Sequence, residues 1–239
     1  MSEYRQDPRI NASKLKCFLG RDYDPIQAVM DSRQGIGETQ SMAVGTGLHE
    51  IMEVGVENAK FEAIERMYKT KGPRENAIQL AKDMAQAIWE KSPPHIIHHI
   101  EHGQHEQEFY TDEFKALLDV VDGTTGMDFK STSASTLAEF KRDFFKYCLE
   151  VQEHHYRKVA KLDRFYFVVV SKAKGHPVWI IEASVNCLEY GDAQWELAYQ
   201  RYKETESLEI PTMAREAIIT APKWWTETPS SGEDLSTFY

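Results

Sequence analysis

The chain has 239 residues, 41% hydrophobic and 28% charged, a balance that suits a soluble globular domain with apolar material for its own core. Cys17, Cys148 and Cys187 are far apart and form no CxxC pair, which argues against a disulfide framework, an iron–sulfur cluster or a cysteine-rich zinc site and for a reducing compartment. The formal net charge of −10 disfavours binding of nucleic acid through a broad basic surface. It is compatible with a narrow groove whose carboxylates hold divalent cations.

No apolar run approaches the roughly 20 residues of a membrane helix, and the opening MSEYRQDPRINASK has no apolar signal core. A cytoplasmic protein without membrane contact is expected. Residues 1–10 read as a loose arm. Asn11 or Ser13 then caps a helix. A long helical pattern covers 42–70, with Leu48, Ile51, Met52 and Val56 on one face, and Lys71-Gly72-Pro73 breaks it. A second helix runs from about Arg74 to Lys91, and Pro93-Pro94 ends it.

Strand character follows. His105–Thr111, Phe114–Val121 and Gly126–Ser131 read as a meander turning at Asp122-Gly123-Thr124-Thr125. Residues 136–160 return to helix, with Phe140, Phe144, Tyr147, Cys148 and Val151 as its buried stripe. Phe165–Ser171 is a continuous β-branched and aromatic run, the mark of a strand covered on both faces. Val178–Ala183 reads as a further strand and 190–206 as a helix. The tail, 226–239, is acidic and rich in Ser, Thr and Pro. This order describes an α/β domain with a central mixed sheet flanked by helices.

The informative stretch is Lys115-Ala-Leu-Leu-Asp119-Val-Val-Asp122-Gly123-Thr-Thr-Gly126-Met-Asp128-Phe-Lys130. In a simple antiparallel hairpin Val121 faces Gly126 and Asp119 faces Asp128, while Asp128 and Lys130 share a face. Two carboxylates directly across a ladder repel each other, and a divalent cation between them reverses the sign. An ammonium alongside can orient a water and offset charge on a phosphorane-like transition state. This set suits hydrolysis of a phosphodiester, and its hard oxygen ligands favour Mg²⁺ or Mn²⁺.

Two motifs accompany the hairpin. Gly45-Thr46-Gly47-Leu48-His49 lies on the first long helix, where Gly47 permits close approach and His49 can face the hairpin. Gln152 and Tyr156 stand four apart on one helical face. Taken in order, these features resemble the PD-(D/E)XK nuclease superfamily, in its RecB-like and RecE- and lambda-exonuclease-like branch. The likeness spans about residues 10–205 through GTxxH (Gly45–His49), the hairpin acid Asp119, DxK (Asp128-Phe129-Lys130) and QxxxY (Gln152–Tyr156). Leu118 stands where the family has proline.

The resemblance implies a restriction-endonuclease-like nuclease domain over 11–225 and a metal-dependent exonuclease of linear duplex DNA. A PD-(D/E)XK endonuclease and a non-catalytic DNA-binding module are the alternatives. It implies Asp119 and Asp128 as main metal ligands, completed by the Phe129 carbonyl and His49, with Glu108 as a candidate ligand for a second ion. Lys130 would position the water, and Gln152 and Tyr156 would support the site or touch DNA. Lys14, Lys16 and Arg21 are candidates to hold a DNA 5′-phosphate. A recombination or repair role in a bacterial cell or phage-infected host, a single-strand annealing partner and a ring-shaped homo-oligomer also follow from the branch. The histidines at 95, 98, 99, 102 and 105 fit no metal motif and read as a surface loop, and Trp224-Trp225 as a pair pinning the C-terminal segment.

Overall fold

In a computed structural model of the chain, residues 3–20, 23–34, 37–206 and 208 are described. Arg21, Trp224-Trp225 and the tail at 226–239 lie outside them. No helix of the described residues is long and apolar enough to cross a membrane.

The expected arm is docked over its described part. It holds a short helix, α1 (Glu3–Gln6), with Tyr4 buried. Ile10 bridges to Phe114, and the buried Lys115 ammonium donates to the carbonyls of Tyr4 and Asp7. A lysine taken out of water needs such acceptors, so this cation fastens the arm to the sheet. Asn11 caps α2 (Ala12–Lys16), accepting from the Lys14 N–H, and α3 (Pro25–Gln34) follows.

The long helix expected over 42–70 is two helices. α4 (Gln40–Val54) stops at Gly55, whose φ of 81° lies in the left-handed region that glycine enters freely. The Glu50 carboxylate accepts from the N–H groups of Lys60 and Phe61 and sets the turn into α5 (Glu62–Met67). Next, α6 (Lys71–Lys91) begins before Pro73, because a proline in the first turn removes no helical hydrogen bond. The histidine-rich segment, expected as a loop, is α7 (Pro94–His102): Pro94 opens it, and Ile96 and Ile100 are its buried face.

The strands are β1 (Gln104–Tyr110), β2 (Lys115–Asp122), β3 (Thr125–Thr132), β4 (Arg164–Ser171) and β5 (Val178–Ile181), paired in that spatial order. All neighbours are antiparallel except β3 and β4. The parallel pair requires a crossover. It is supplied by α8 (Leu137–Lys146) and α9 (Leu149–Ala160), which are separate helices because Cys148 turns left-handed between them at φ 49°. Phe140, Phe144 and Val151 are buried as expected, whereas Tyr147, beside that turn, is 55% exposed. The last helix is α10 (Val185–Thr205).

Each face of the sheet carries a core. Met127, Phe129, Tyr166, Val168 and Val170 pack with α4, α6 and α7. Leu118, Phe165, Phe167 and Val169 pack with α8 and α9. The apolar run of β4 is thus covered on both sides, as its sequence pattern requires.

Candidate active site

The hairpin pairs Val120 with Met127, Val121 with Gly126 and Asp122 with Thr125, around a turn in which Gly123 takes a φ of 59°. The same offset sets Asp119 level with Asp128. Ladder pairing ends there, and the Asp119 carboxylate accepts the Phe129 N–H at 2.5 Å. On the other side of β2, Gln107 pairs with Leu118 and His105 with Val120, leaving Glu106 and Asp119 opposite each other between these pairs. Glu106 has a φ of 49°, a conformation that costs a non-glycine residue about 1–2 kcal/mol. Alternation along β2 is reset at the same point. Leu118 enters the core under α9, and Val120 enters the core under α4 to α7.

A cleft of about 650 Å³ lies over this interruption, lined by Glu106, Asp119, Asp128, Phe129 and Lys130 from the strands. α4 supplies His49, α2 supplies Lys16, and α9 supplies Gln152 and Tyr156. Gly45 lets α4 approach β3, whereas Gly47, expected to serve that approach, instead makes room for α5 and α6 on the far side of the helix. A Cβ on Gly45 would stand 3.0 Å from the Ser131 hydroxyl, and one on Gly47 would stand 2.8 Å from Ile64.

The polar groups form one network. His49 Nδ1 lies 3.0 Å from Asp119 Oδ1, and Lys130 is ion-paired with Asp128. The Gln152 amide donates to Asp128 Oδ1 at 2.8 Å and to the Tyr156 hydroxyl at 3.1 Å, while its oxygen accepts from Lys16 at 2.7 Å. Both amide protons are therefore committed, which fixes the Asp128 carboxylate from behind.

Burial and charge pull the titrations apart. Burial raises Asp119, but the His49 charge and hydrogen bond outweigh it and hold the carboxyl below its usual range. Burial pushes Asp128 up, with the Lys130 charge offsetting only part. Burial, then the Asp119 charge, lifts Glu106 to about 7. Burial opposes the charge on His49, yet Asp119 carries it up to about 9. Lys16 is lowered to about 8 by burial and by the Lys130 charge.

The cleft thus gathers His49, Asp119, Asp128, Phe129, Lys130, Gln152, Tyr156 and Lys16. Two expected residues lie elsewhere. The Glu108 carboxylate is exposed and accepts the Tyr110 hydroxyl, outside the cleft lining. Glu106 takes the place expected for it, because the β1–β2 register and not the strand's sequence decides which acid faces Asp119. Lys14 donates to the Pro8 carbonyl and lines a neighbouring cavity of about 750 Å³ with Arg9 and Arg33. Glu106 was within reach of the sequence. A turn over 111–114 pairs Tyr110 with Lys115, and counting back from it sets Glu106 against Asp119.

This fold has been seen before. The crystal structure of a candidate exonuclease from Eubacterium rectale, 14% identical, matches 92% of this chain and 93% of its own with a TM-score of 0.72. A phage-related exonuclease from Haemophilus somnus 129PT, 12% identical, covers 83% of this chain and 95% of its own with a TM-score of 0.40. No family model and no curated protein matches the sequence. At 14% identity the first likeness establishes the α/β fold with its mixed five-stranded sheet.

Proposed function

We propose that this protein is a divalent-metal-dependent deoxyribonuclease that hydrolyses linear duplex DNA from its ends. The convergence of Glu106, Asp119, Asp128, His49 and Lys130 on one cleft carries the reading. The order of the GTxxH, Asp, DxK and QxxxY motifs and the name of the Eubacterium rectale neighbour support exonuclease over endonuclease.

The donor set fits a hard divalent ion. His49, Glu106 and Asp119 offer ligand atoms that lie within 4.8 Å of one another, and Asp128 and the Phe129 carbonyl stand in the same cleft. Burial first, and then the neighbouring Asp119 charge, raises the Glu106 and Asp128 carboxyls, and a cation bound among them would oppose both effects. Oxygen ligands favour Mg²⁺ or Mn²⁺. Such an ion, when bound, acidifies a water and polarises a phosphoryl oxygen.

The chain's own groups do the rest. Hydrolysis places a water oxygen on phosphorus and breaks the bond to one sugar oxygen, which leaves with a proton. The Lys130 ammonium orients that water and offsets charge growing on the phosphoryl oxygens. Gln152 holds Asp128 in place, and Lys16 and the Tyr156 hydroxyl offer donors to the phosphate from the α2 and α9 walls. Lys16 and Lys130 in this cleft and Arg9, Lys14 and Arg33 in the adjoining cavity offer local positive charge to DNA on a chain of net charge −10. Trimming of duplex ends suits recombination or repair.

A gel assay with end-labelled linear and closed circular duplex, with and without Mg²⁺, tests the reading. Metal-dependent loss of linear DNA alone is expected. Equal cutting of circles would make it an endonuclease, and DNA binding without cleavage would make it a non-catalytic module.

A further inference from the structure

His98 and His102 of α7 are used neither by the cleft nor by the core. We propose that His98 and His102 form a second metal site, for a borderline transition-metal ion such as Ni²⁺, Cu²⁺ or Zn²⁺. Two histidines four apart on a helix stand one turn apart on one face, the spacing with which imidazoles share a cation. Their rings are stacked here, with centroids 4.2 Å apart and planes at 29°, and both residues are exposed.

The tautomer is suited to ligation. His102 Nδ1 lies 2.8 Å from the His98 carbonyl oxygen. A carbonyl only accepts, so Nδ1 carries the hydrogen and Nε2 presents its lone pair outward. Metal-bound histidines are held in this way by a backbone or carboxylate acceptor on the other nitrogen. The intervening His99 turns aside to donate its Nδ1 hydrogen to Asp122 Oδ2 at 2.8 Å, so the pair itself supplies two imidazoles and water would complete the shell. The platform is fixed in advance, because Ile96 and Ile100 bury the opposite face of α7 and little ordering remains for the ion to impose.

The two sites divide cations by ligand chemistry. Oxygen-rich donors in the cleft suit Mg²⁺ or Mn²⁺, whereas a pair of imidazoles suits nickel, copper or zinc. The 239-residue chain carrying His49→Ala, in excess Mg²⁺, is titrated with Ni²⁺ by calorimetry, because the cleft's own imidazole beside Glu106 and Asp119 would otherwise take Ni²⁺ in place of Mg²⁺. One Ni²⁺ per chain is expected, with a matching rise in melting temperature. His98→Ala and His102→Ala should each weaken binding at least tenfold and abolish the thermal shift. His95→Ala, on a ring that packs toward Tyr166, should change neither. Absence of Ni²⁺ binding in the His49→Ala chain, or the same binding retained when His98 and His102 are both replaced in that background and the chain is folded, would overturn the proposal. So would loss of binding on His95→Ala.

Discussion

Glu106 and Asp119 face each other at the position where the β1–β2 ladder is interrupted, and each supplies a carboxylate to the same cleft. Glu106 takes a left-handed backbone there, a local cost that the surrounding sheet must offset. Glu106→Gln keeps the side-chain shape and removes the charge. The Mg²⁺ affinity read from turnover against metal concentration is expected to fall about 10- to 100-fold. Glu108→Gln, outside the cleft, is expected to leave that curve unchanged.

Lys130→Ala is expected to lower turnover by about 10²- to 10³-fold, the range for loss of a charge-stabilising donor, with the circular dichroism spectrum unchanged. Asp128→Asn should also end turnover, yet raise the melting temperature in EDTA. Burial disfavours the ionised carboxyl there even with Lys130 beside it, and the Asn oxygen can still accept from Gln152. A lower melting temperature for this variant would show that the acid is well accommodated without metal.

His155 sets a pH dependence of stability. Its Nε2 lies 2.9 Å from the Lys115 carbonyl, and its Nδ1 lies 3.2 Å from the indole nitrogen of Trp195. Since the carbonyl only accepts and the indole only donates, the ring is neutral with its hydrogen on Nε2. Burial depresses it from 6.5 to about 4, with the Lys115 hydrogen bond pulling the other way. Because the folded value lies below the unfolded one, this stability is whole above about pH 6.5. It is lost as pH falls toward 4, by at most about 3 kcal/mol. Glu153 runs oppositely. Burial, against the Arg157 charge, lifts it to about 7, so its contribution is whole below 4.5 and is lost as pH rises to 7. In urea melts from pH 7 to 4, His155→Phe should start less stable and lose less with acid than the parent. Parallel curves would contradict the assignment.

At Gly191 the constraint is steric. A Cβ there would stand 2.7 Å from the Glu150 carbonyl oxygen, a backbone atom of α9. Alanine gains about 1 kcal/mol of helix propensity, but α10 must move away from α9, and overpacking costs about 1–3 kcal/mol. A net loss of stability for Gly191→Ala in urea unfolding is expected.

Much of the fold was legible where local chemistry decides. The turn at Asp122–Thr125 fixes the hairpin register, and the unbroken apolar run of β4 announces burial on both faces. Legibility failed where distant residues decide. Gly55 was a visible stop signal inside a strong apolar period. Cys148 offers no such signal, because a left-handed cysteine is held by the helices on either side. Pro93-Pro94 ends one helix and begins another, and only the burial of Ile96 and Ile100 separates that case from a loop. In the cleft, Asp119, Asp128 and Lys130 come together as hairpin spacing led one to expect and His49 joins them as the resemblance implied, whereas choosing Glu106 over Glu108 required the register of a neighbouring strand.

Lys130 and Asp128 ride on β3, which pairs with β4 along all eight residues and is packed from both sides. Asp119 rides on β2, which lets go of β3 at that very residue. The two acids therefore rest on unlike supports, one on a strand paired throughout and the other at a gap in the ladder. Under the proposed function, adjustment to a phosphate of varying position would fall to the β2 wall, with the lysine side as its anvil.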